Sequence, residues 1–145
     1  DHMQLPKLNF SETFDLKIKQ DKDTFFIYDL VRKTWLVLTP EEWVRQHWVH
    51  YYLFSKSKSP SSLILEQKLE LNGTTKRIDL LITHKTESKI LIECKAPHIN
   101  LTPLHFEQVA RYNSILKAPE IILTNGLHHI FAKFENEEYV FGNFM

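Results

Sequence analysis

Hydrophobic and polar positions alternate most regularly between residues 63 and 95. Leu63-Ile64-Leu65-Glu66 opens a run whose apolar beat continues through Leu69 and Leu71, the period of two that a strand requires. Asn72-Gly73 follows, a pair suited to a two-residue hairpin turn because both positions tolerate positive φ. A second strand is predicted over 76–82 (KRIDLLI), a polar turn over 84–88, and a third strand over 89–95 (KILIECK). Four charged side chains interrupt this apolar stretch: Glu66, Asp79, Glu93 and Lys95. Glu93 and Lys95 are two apart, so on a strand they point to the same face. Asp79 can sit opposite them on the neighbouring strand.

The flanking pattern places further elements. Residues 4–10 form a polar, proline-containing lead-in. Residues 14–19 alternate as a half-exposed strand, 20–23 turn, 24–29 return, and 35–38 form another extended piece. This small antiparallel sheet ahead of the core serves equally well as a dimerisation edge or as structural support. Thr39-Pro40-Glu41-Glu42 predicts a helix start, with Thr39 as N-cap, Pro40 at the first helical position and Glu42 closing a capping box. The helix runs to about residue 54. Trp43, His47, Tyr51 and Phe54 make one stripe, with Val44, Trp48 and Tyr52 beside it, which suits core packing better than ligand binding. Glu41, Arg45 and Gln46 face elsewhere. The loop over 55–62 is serine-rich and carries Lys56 and Lys58; a solvated loop is its default.

Thr102-Pro103 repeats the helix-start grammar for a second helix to about residue 116. On it Gln108 and Tyr112, four apart, share a face. Residues 120–124 predict a short strand parallel to the third, reached by a right-handed crossover. Asn125-Gly126 and Asn136-Glu137 then turn the chain through strands over 128–135 and 139–144. His128 and His129, adjacent on a strand, face opposite ways and cannot serve one metal.

Composition narrows the classes. The chain has 145 residues, one domain's worth, with 18 basic and 18 acidic side chains and a pI near 7.3. No global positive field draws in nucleic acid, so DNA contact needs a local basic patch. The single cysteine, Cys94, excludes an internal disulfide and fits a reducing cytoplasm. No run approaches a membrane span and no signal peptide is visible, so a cytoplasmic protein without membrane contact is expected. Asp1-His2 before Met3 reads as a cloning scar. A phosphate-binding Gly-Lys-Ser/Thr loop is absent from the sequence, which leaves no motor in this chain.

The charged residues of the hairpins have a chemical logic. Carboxylates crowded into a partly buried site repel one another and lose hydration. A hard divalent cation such as Mg²⁺ or Mn²⁺ removes both penalties. Lys95 then places positive charge beside a metal-bound water or a phosphate. The bland alternative is an ion-paired edge strand.

These same residues resemble the PD-(D/E)xK nuclease superfamily, and more narrowly the nuclease domain at the N-terminus of the restriction (motor) subunit of type I restriction–modification enzymes. The matching pieces are LTPEEWVRQ (38–46), KRID (76–79), IECKAP (92–97), QVARYN (108–113) and LTNG (123–126). They occur in the family's order from about residue 30 onward. One departure is Ile78, which stands where the superfamily's name-giving proline would be. The resemblance implies an α/β, restriction-endonuclease-like core of αβββαβ order, with a mixed central sheet flanked by helices, an extra N-terminal β-hairpin and a C-terminal hairpin. In domain terms, 4–145 is one unit: an N-terminal β extension (4–38), a catalytic core (39–135) and a closing strand (136–145), with 1–3 the scar and start.

It further implies a metal-dependent DNA nuclease, an endonuclease rather than an exonuclease, related to restriction–modification. Mg²⁺ or Mn²⁺ would be held by Asp79, Glu93, the Cys94 backbone carbonyl and Glu66. Lys95 completes the catalytic set, and Gln108, Tyr112, Arg77 and Lys76 would meet DNA. A helicase or motor acting in trans, or a second copy of the chain, are the protein partners to expect. The contrasting reading is a nucleic-acid-binding or assembly module that kept the fold and lost turnover.

Overall fold

The computed structural model describes residues 5–143 and 145. The expected scar and start at 1–3, and Phe144 of the last predicted strand, lie outside the described residues. Three strands, β1 (Ile18–Asp21), β2 (Thr24–Asp29) and β3 (Thr34–Val37), form an antiparallel sheet ahead of the core. The sheet read from the alternation at 14–19, 24–29 and 35–38 thus forms, adding a third strand to the hairpin that the resemblance implies, with β1 shifted to Ile18–Asp21 because the turn tightens to the two residues Lys22 and Asp23. α1 (Pro40–His50) follows, then the β4 (Leu63–Leu71), β5 (Thr74–His84) and β6 (Glu87–Cys94) meander, α2 (Pro103–Leu116), and β7 (Glu120–Thr124), β8 (His129–Glu135) and β9 (Glu138–Gly142). The second sheet has the order β4-β5-β6-β7-β8-β9, antiparallel except for the parallel β6–β7 pair. This is the αβββαβ order of a restriction-endonuclease-like core with a C-terminal hairpin added. No helix among the described residues is long and apolar enough to cross a membrane.

Turn chemistry sets the register of the β4–β5 pair, whereas in the β5–β6 pair a bulge between Ile82 and Thr83 shifts the register by one residue before the site is reached. Asn72 and Gly73 both take positive φ (52° and 77°) between the paired residues Leu71 and Thr74, as a type I′ hairpin demands. Lys85-Thr86 and Asn136-Glu137 adopt the same conformation without glycine.

The helices cover opposite faces of the large sheet. Val44, Trp48 and Val49 of α1 pack with Leu63, Leu80, Ile82, Ile92 and Ile122. On the other face Val109 of α2 packs with Ile78, Leu81, Leu91, Ile121 and Leu123. Thr39 caps α1 by accepting the Glu42 N–H at 3.0 Å. The reciprocal half of the expected capping box does not form, because the Glu42 carboxylate turns inward to Arg45 and Gln46. After His50 the chain takes a π-helical turn over Tyr51–Ser55. The wider turn carries Tyr51 and Tyr52 both into the core and leaves Phe54 62% exposed, so the predicted stripe ends one residue early.

The lead-in is part of the core. Leu8 and Phe10 are buried, and the Asn9 N–H donates to the Gly126 carbonyl at 2.8 Å. Gly126 has φ +86°, and a Cβ there would lie 2.7 Å from Leu8 Cδ2. The positive φ favours glycine at this turn, and a Cβ there would in addition have to displace the buried Leu8 side chain.

Candidate active site

The site forms where the meander stops being a regular sheet. The β4–β5 ladder passes from Leu65–Leu80 to Gln67–Ile78, skipping Glu66 and Asp79. Glu66 there takes φ +54°, a conformation uncommon for residues with a side chain. The β5–β6 ladder ends at Leu80–Ile92. Across this irregularity the pleat inverts. Leu65 and Leu80 pack on the α1 side, whereas Leu69 and Ile78, each an even number of residues away, pack on the α2 side. In an unbroken strand those pairs would share a face.

Asp79 occupies the resulting gap. Its Oδ2 accepts the Cys94 N–H at 2.8 Å, replacing the ladder bond that the splayed strands no longer make. In an extended chain the N–H and C=O of one residue point to the same edge, so the Cys94 carbonyl opens toward the same gap. Glu93, one residue before, is 4% exposed and its Oε2 takes the Lys76 ammonium at 2.9 Å. Burial, and then the neighbouring Asp79 carboxylate, push the Glu93 carboxyl up to about 7, against the pull of Lys76. Burial works against the Lys76 charge too, but Glu93 outweighs it and holds the ammonium above its ordinary value. The inverted pleat is what brings Lys76 to Glu93: counted by twos from Leu80, Lys76 would face α1 instead.

Lys76 Nζ also lies 5.5 Å from the ring centroid of the half-buried Tyr112, on α2. Gln108, one turn earlier, is exposed. Lys95 follows the end of β6, but its N–H still donates to the Thr124 carbonyl at 2.7 Å. That bond keeps the extended register which sets Lys95 on the Glu93 side. Its ammonium makes no hydrogen bond or ion pair among the described residues. Arg77 is exposed and contributes positive charge near Glu66.

Glu66 is not drawn to the other two acids. It pairs with Arg32, and its Oε1 lies 3.8 Å from Arg45 Nη1. Partial burial alone would raise the Glu66 carboxyl; the two arginines reverse this and hold it below its ordinary value. Arg45 is the hub that the sequence pattern left facing elsewhere. Its guanidinium reaches Glu42 Oε1 at 2.7 Å and Asp79 Oδ1 at 3.1 Å. Burial disfavours its charge, yet Glu42 and Asp79 more than compensate, and the group is held more basic than usual. Beyond Glu66, Arg32 bridges to the fully buried Asp29 at 2.8 Å, which also accepts from Gln46 Nε2 at 3.0 Å. Five carboxylates thus meet three cations: Asp29, Glu42, Glu66, Asp79 and Glu93 against Arg32, Arg45 and Lys76. Among the described residues no three carboxylate, imidazole or thiol groups converge on a point that could hold a metal. The expected three-acid cluster is reduced to the Asp79–Glu93 pair, because Arg32 and Arg45 take Glu66.

Arg32 and Arg45 were legible only in part. The i, i+3 spacing of Glu42 and Arg45 permits their pairing, but nothing local shows that Arg45 reaches β5. His129 is satisfied by Thr124 Oγ1 and the Asn9 carbonyl, both at 2.8 Å, and takes no part.

The family profile of the type I restriction enzyme R protein N terminus (HSDR_N) matches residues 40–143, from the start of α1 past the end of β9. The chain belongs to this family. Membership in the R protein N-terminal family ties the chain to restriction–modification and to a nuclease-related role. Comparison with curated proteins gives no match. Within the R protein N-terminal match lie Glu66, Asp79, Glu93 and Lys95, and also the unforeseen Arg45; Arg32 and β1–β3 precede it.

Proposed function

We propose that this chain is a Mg²⁺- or Mn²⁺-dependent nuclease that hydrolyses phosphodiester bonds in DNA. One observation carries the proposal: two adjacent carboxylates, Asp79 and Glu93, sit at the splayed end of β5 and β6, and Glu93 is pushed up to about 7 by burial and by that neighbour. A buried carboxyl held this far from its ordinary range marks a site that favours a cation. The donors available are two carboxylates and the Cys94 carbonyl, all oxygen. Mg²⁺ is commonly held by one or two carboxylates, with water and phosphate completing its shell, so the set fits without Glu66, which reaches the ion at most through water.

When bound, the ion supplies Lewis-acid stabilisation of phosphate charge and a more acidic water. The remaining work falls to the chain. Asp79, oriented by the Cys94 N–H and Arg45, holds its carboxylate in the gap. Glu93 would hold the cation in place of its Lys76 partner, and the Lys76 ammonium would then be available to a substrate phosphate. Lys95, whose ammonium has no partner among the described residues, orients the attacking water and stabilises the charge that develops on the phosphate oxygens. Tyr112 and Gln108 present one helix face beside Lys76 to the DNA, and Arg77 adds positive charge on the β4–β5 side.

The same ion pairs favour a second reading. Arg45 and Lys76 already neutralise Asp79 and Glu93, as a scaffold that had lost its metal would need. Incubation with single-stranded, nicked and duplex DNA in Mg²⁺ and in Mn²⁺ separates the two, with Lys95→Ala as control. The nuclease predicts metal-dependent cleavage that Lys95→Ala abolishes, and Mn²⁺ binding by calorimetry that Lys95→Ala retains. Cleavage by Lys95→Ala at the wild-type rate removes the lysine from the chemistry. No cleavage together with no millimolar-or-tighter Mn²⁺ binding supports the silent module.

A further inference from the structure

The three-stranded sheet has one face that the core does not use. Its inner face carries Ile27, fully buried, and Asp29, which anchors Arg32. On the other face the register aligns Lys19 with Phe26 and Val37, and Tyr28 with Trp35. Trp35 and Val37 are exposed at 37% and 54%, and Phe26 and Tyr28 are half-exposed. The Tyr28 and Trp35 rings meet edge-to-face at 5.1 Å. Lys19 Nζ lies over the Trp35 ring at 4.5 Å and within 5.8 Å of Phe26. Lys17, whose carbonyl accepts the Tyr28 N–H, and Lys33 in the β2–β3 turn are also exposed.

We propose that this face, built on Phe26, Tyr28 and Trp35 with Lys17, Lys19 and Lys33 around them, binds a single-stranded segment of nucleic acid by stacking unpaired bases on the rings. Three features favour that occupant. Flat rings side by side on a strand face, with ammonium groups between and around them, match the two components of a single strand, base faces and phosphates. The charge favours a polyanion at the Tyr28–Trp35 end: Asp29 is buried and paired, Asp23 lies in the β1–β2 turn, and Asp21, on the Lys19 face, stands at that opposite end beside Phe26, so three ammonium groups face one exposed carboxylate. This is also the local basic patch that a chain of zero net charge needs to attract a polyanion.

Position completes the case. Tyr28 and Trp35 are the residue pair next to Asp29 and Thr34, the end of the sheet at which Arg32 reaches across to Glu66. The platform is thereby braced directly against the candidate site. The choice of a nucleic acid rests in part on the nuclease reading, but the platform itself needs neither metal nor hydrolysis. In the free protein Lys19 covers Trp35; on binding, the ammonium moves to a phosphate and a base takes its place on the ring.

Trp35 makes the test direct, because Trp48 is buried and Trp43 is half-buried. Fluorescence titrations in EDTA would use 12-nucleotide single-stranded DNA, the same sequence as RNA, and the DNA duplex. Single strands are expected to quench tryptophan emission. Trp35→Ala should lose the quench and bind about tenfold more weakly, one stacked base being lost. Lys19→Gln should weaken binding and flatten its salt dependence, with thermal stability unchanged for both. DNA and RNA binding alike indicates recognition of base faces and phosphates alone; preference for one adds a sugar contact. Equal quenching by duplex, or unchanged affinity in Trp35→Ala, overturns the proposal. So does sedimentation showing a dimer that Trp35→Ala dissolves in a protein that binds no oligonucleotide. The quench is read in EDTA, so it persists even if the chain proves to bind no Mn²⁺ and to cleave no DNA; a failed platform and a failed nuclease therefore give different results.

Discussion

Replacing Glu93 by glutamine should stabilise the metal-free protein at alkaline pH and leave it nearly unchanged in acid. The Glu93 carboxyl rises from 4.5 to about 7 in the folded chain, through burial first and Asp79 second. That interval corresponds to about 3 kcal/mol between the two protonation states. The sign follows from linkage. A raised folded pKa means that the folded state binds a proton the unfolded state has released. Stability is therefore complete below pH about 4.5, is lost as pH rises toward about 7, and stays lost above it. Glutamine imitates the protonated form and escapes this loss. The expected gain is near zero at pH 4.5 and up to about 3 kcal/mol at pH 8, roughly 10 °C in melting temperature for a domain of this size.

Denaturant unfolding at intervals from pH 4.5 to 8.5, in EDTA, measures it. His47, lowered to about 4 by burial, and His50 and His129, lowered for the same first reason, bind protons more readily in the unfolded chain than in the folded one. Their stability increases with pH, the opposite sign, so the informative quantity is the difference between wild type and variant. Adding Mn²⁺ at ten times its dissociation constant should then stabilise the wild type by about 1.4 kcal/mol and the variant much less. A difference between the two proteins that is the same at pH 5 and pH 8 refutes the electrostatic account. Equal stabilisation of both by Mn²⁺ refutes Glu93 as a ligand.

Arg45→Met should destabilise by about 3–5 kcal/mol in urea unfolding, because Glu42 and Asp79 lose their shared cation while partly buried; Glu42→Gln in the same chain should recover part of that loss. Tyr112→Ala and Gln108→Ala should weaken DNA binding or cleavage more than stability, read as activity per folded molecule beside a thermal melt. Gly126→Ala should cost about 1–3 kcal/mol in the same unfolding assay, since it forces a side chain to φ +86° and a Cβ onto Leu8.

The local signals were strong wherever structure depends on near neighbours. Asn72-Gly73 fixes a hairpin because backbone torsion is a property of two residues. Thr39-Pro40 and Thr102-Pro103 start helices because capping acts within one turn. A crossover helix between two apolar strands forces β6 and β7 parallel, so the αβββαβ order could be read from the order of the periodicities alone. Asp79, Glu93 and Lys95 stood out because charge interrupts an apolar strand pattern.

Partner choice among those charges is another matter, because it depends on distances between residues far apart in the chain. Arg32 and Arg45 each lie 34 residues from the hairpin acid they bind, and nothing in their neighbourhoods marks that destination. They draw Glu66 away from the other acids. The pleat inversion between Leu65 and Leu69, and between Leu80 and Ile78, is equally invisible to an alternation count, since strict alternation assumes that the pleat continues. It is that inversion, with Leu65 and Leu80 packed on the α1 side and Leu69 and Ile78 on the α2 side, that turns Lys76 to Glu93 and leaves Asp79 in the gap. The sequence by itself determined which elements form and which charges they carry; the packing of two helices on a broken sheet decided which charges meet.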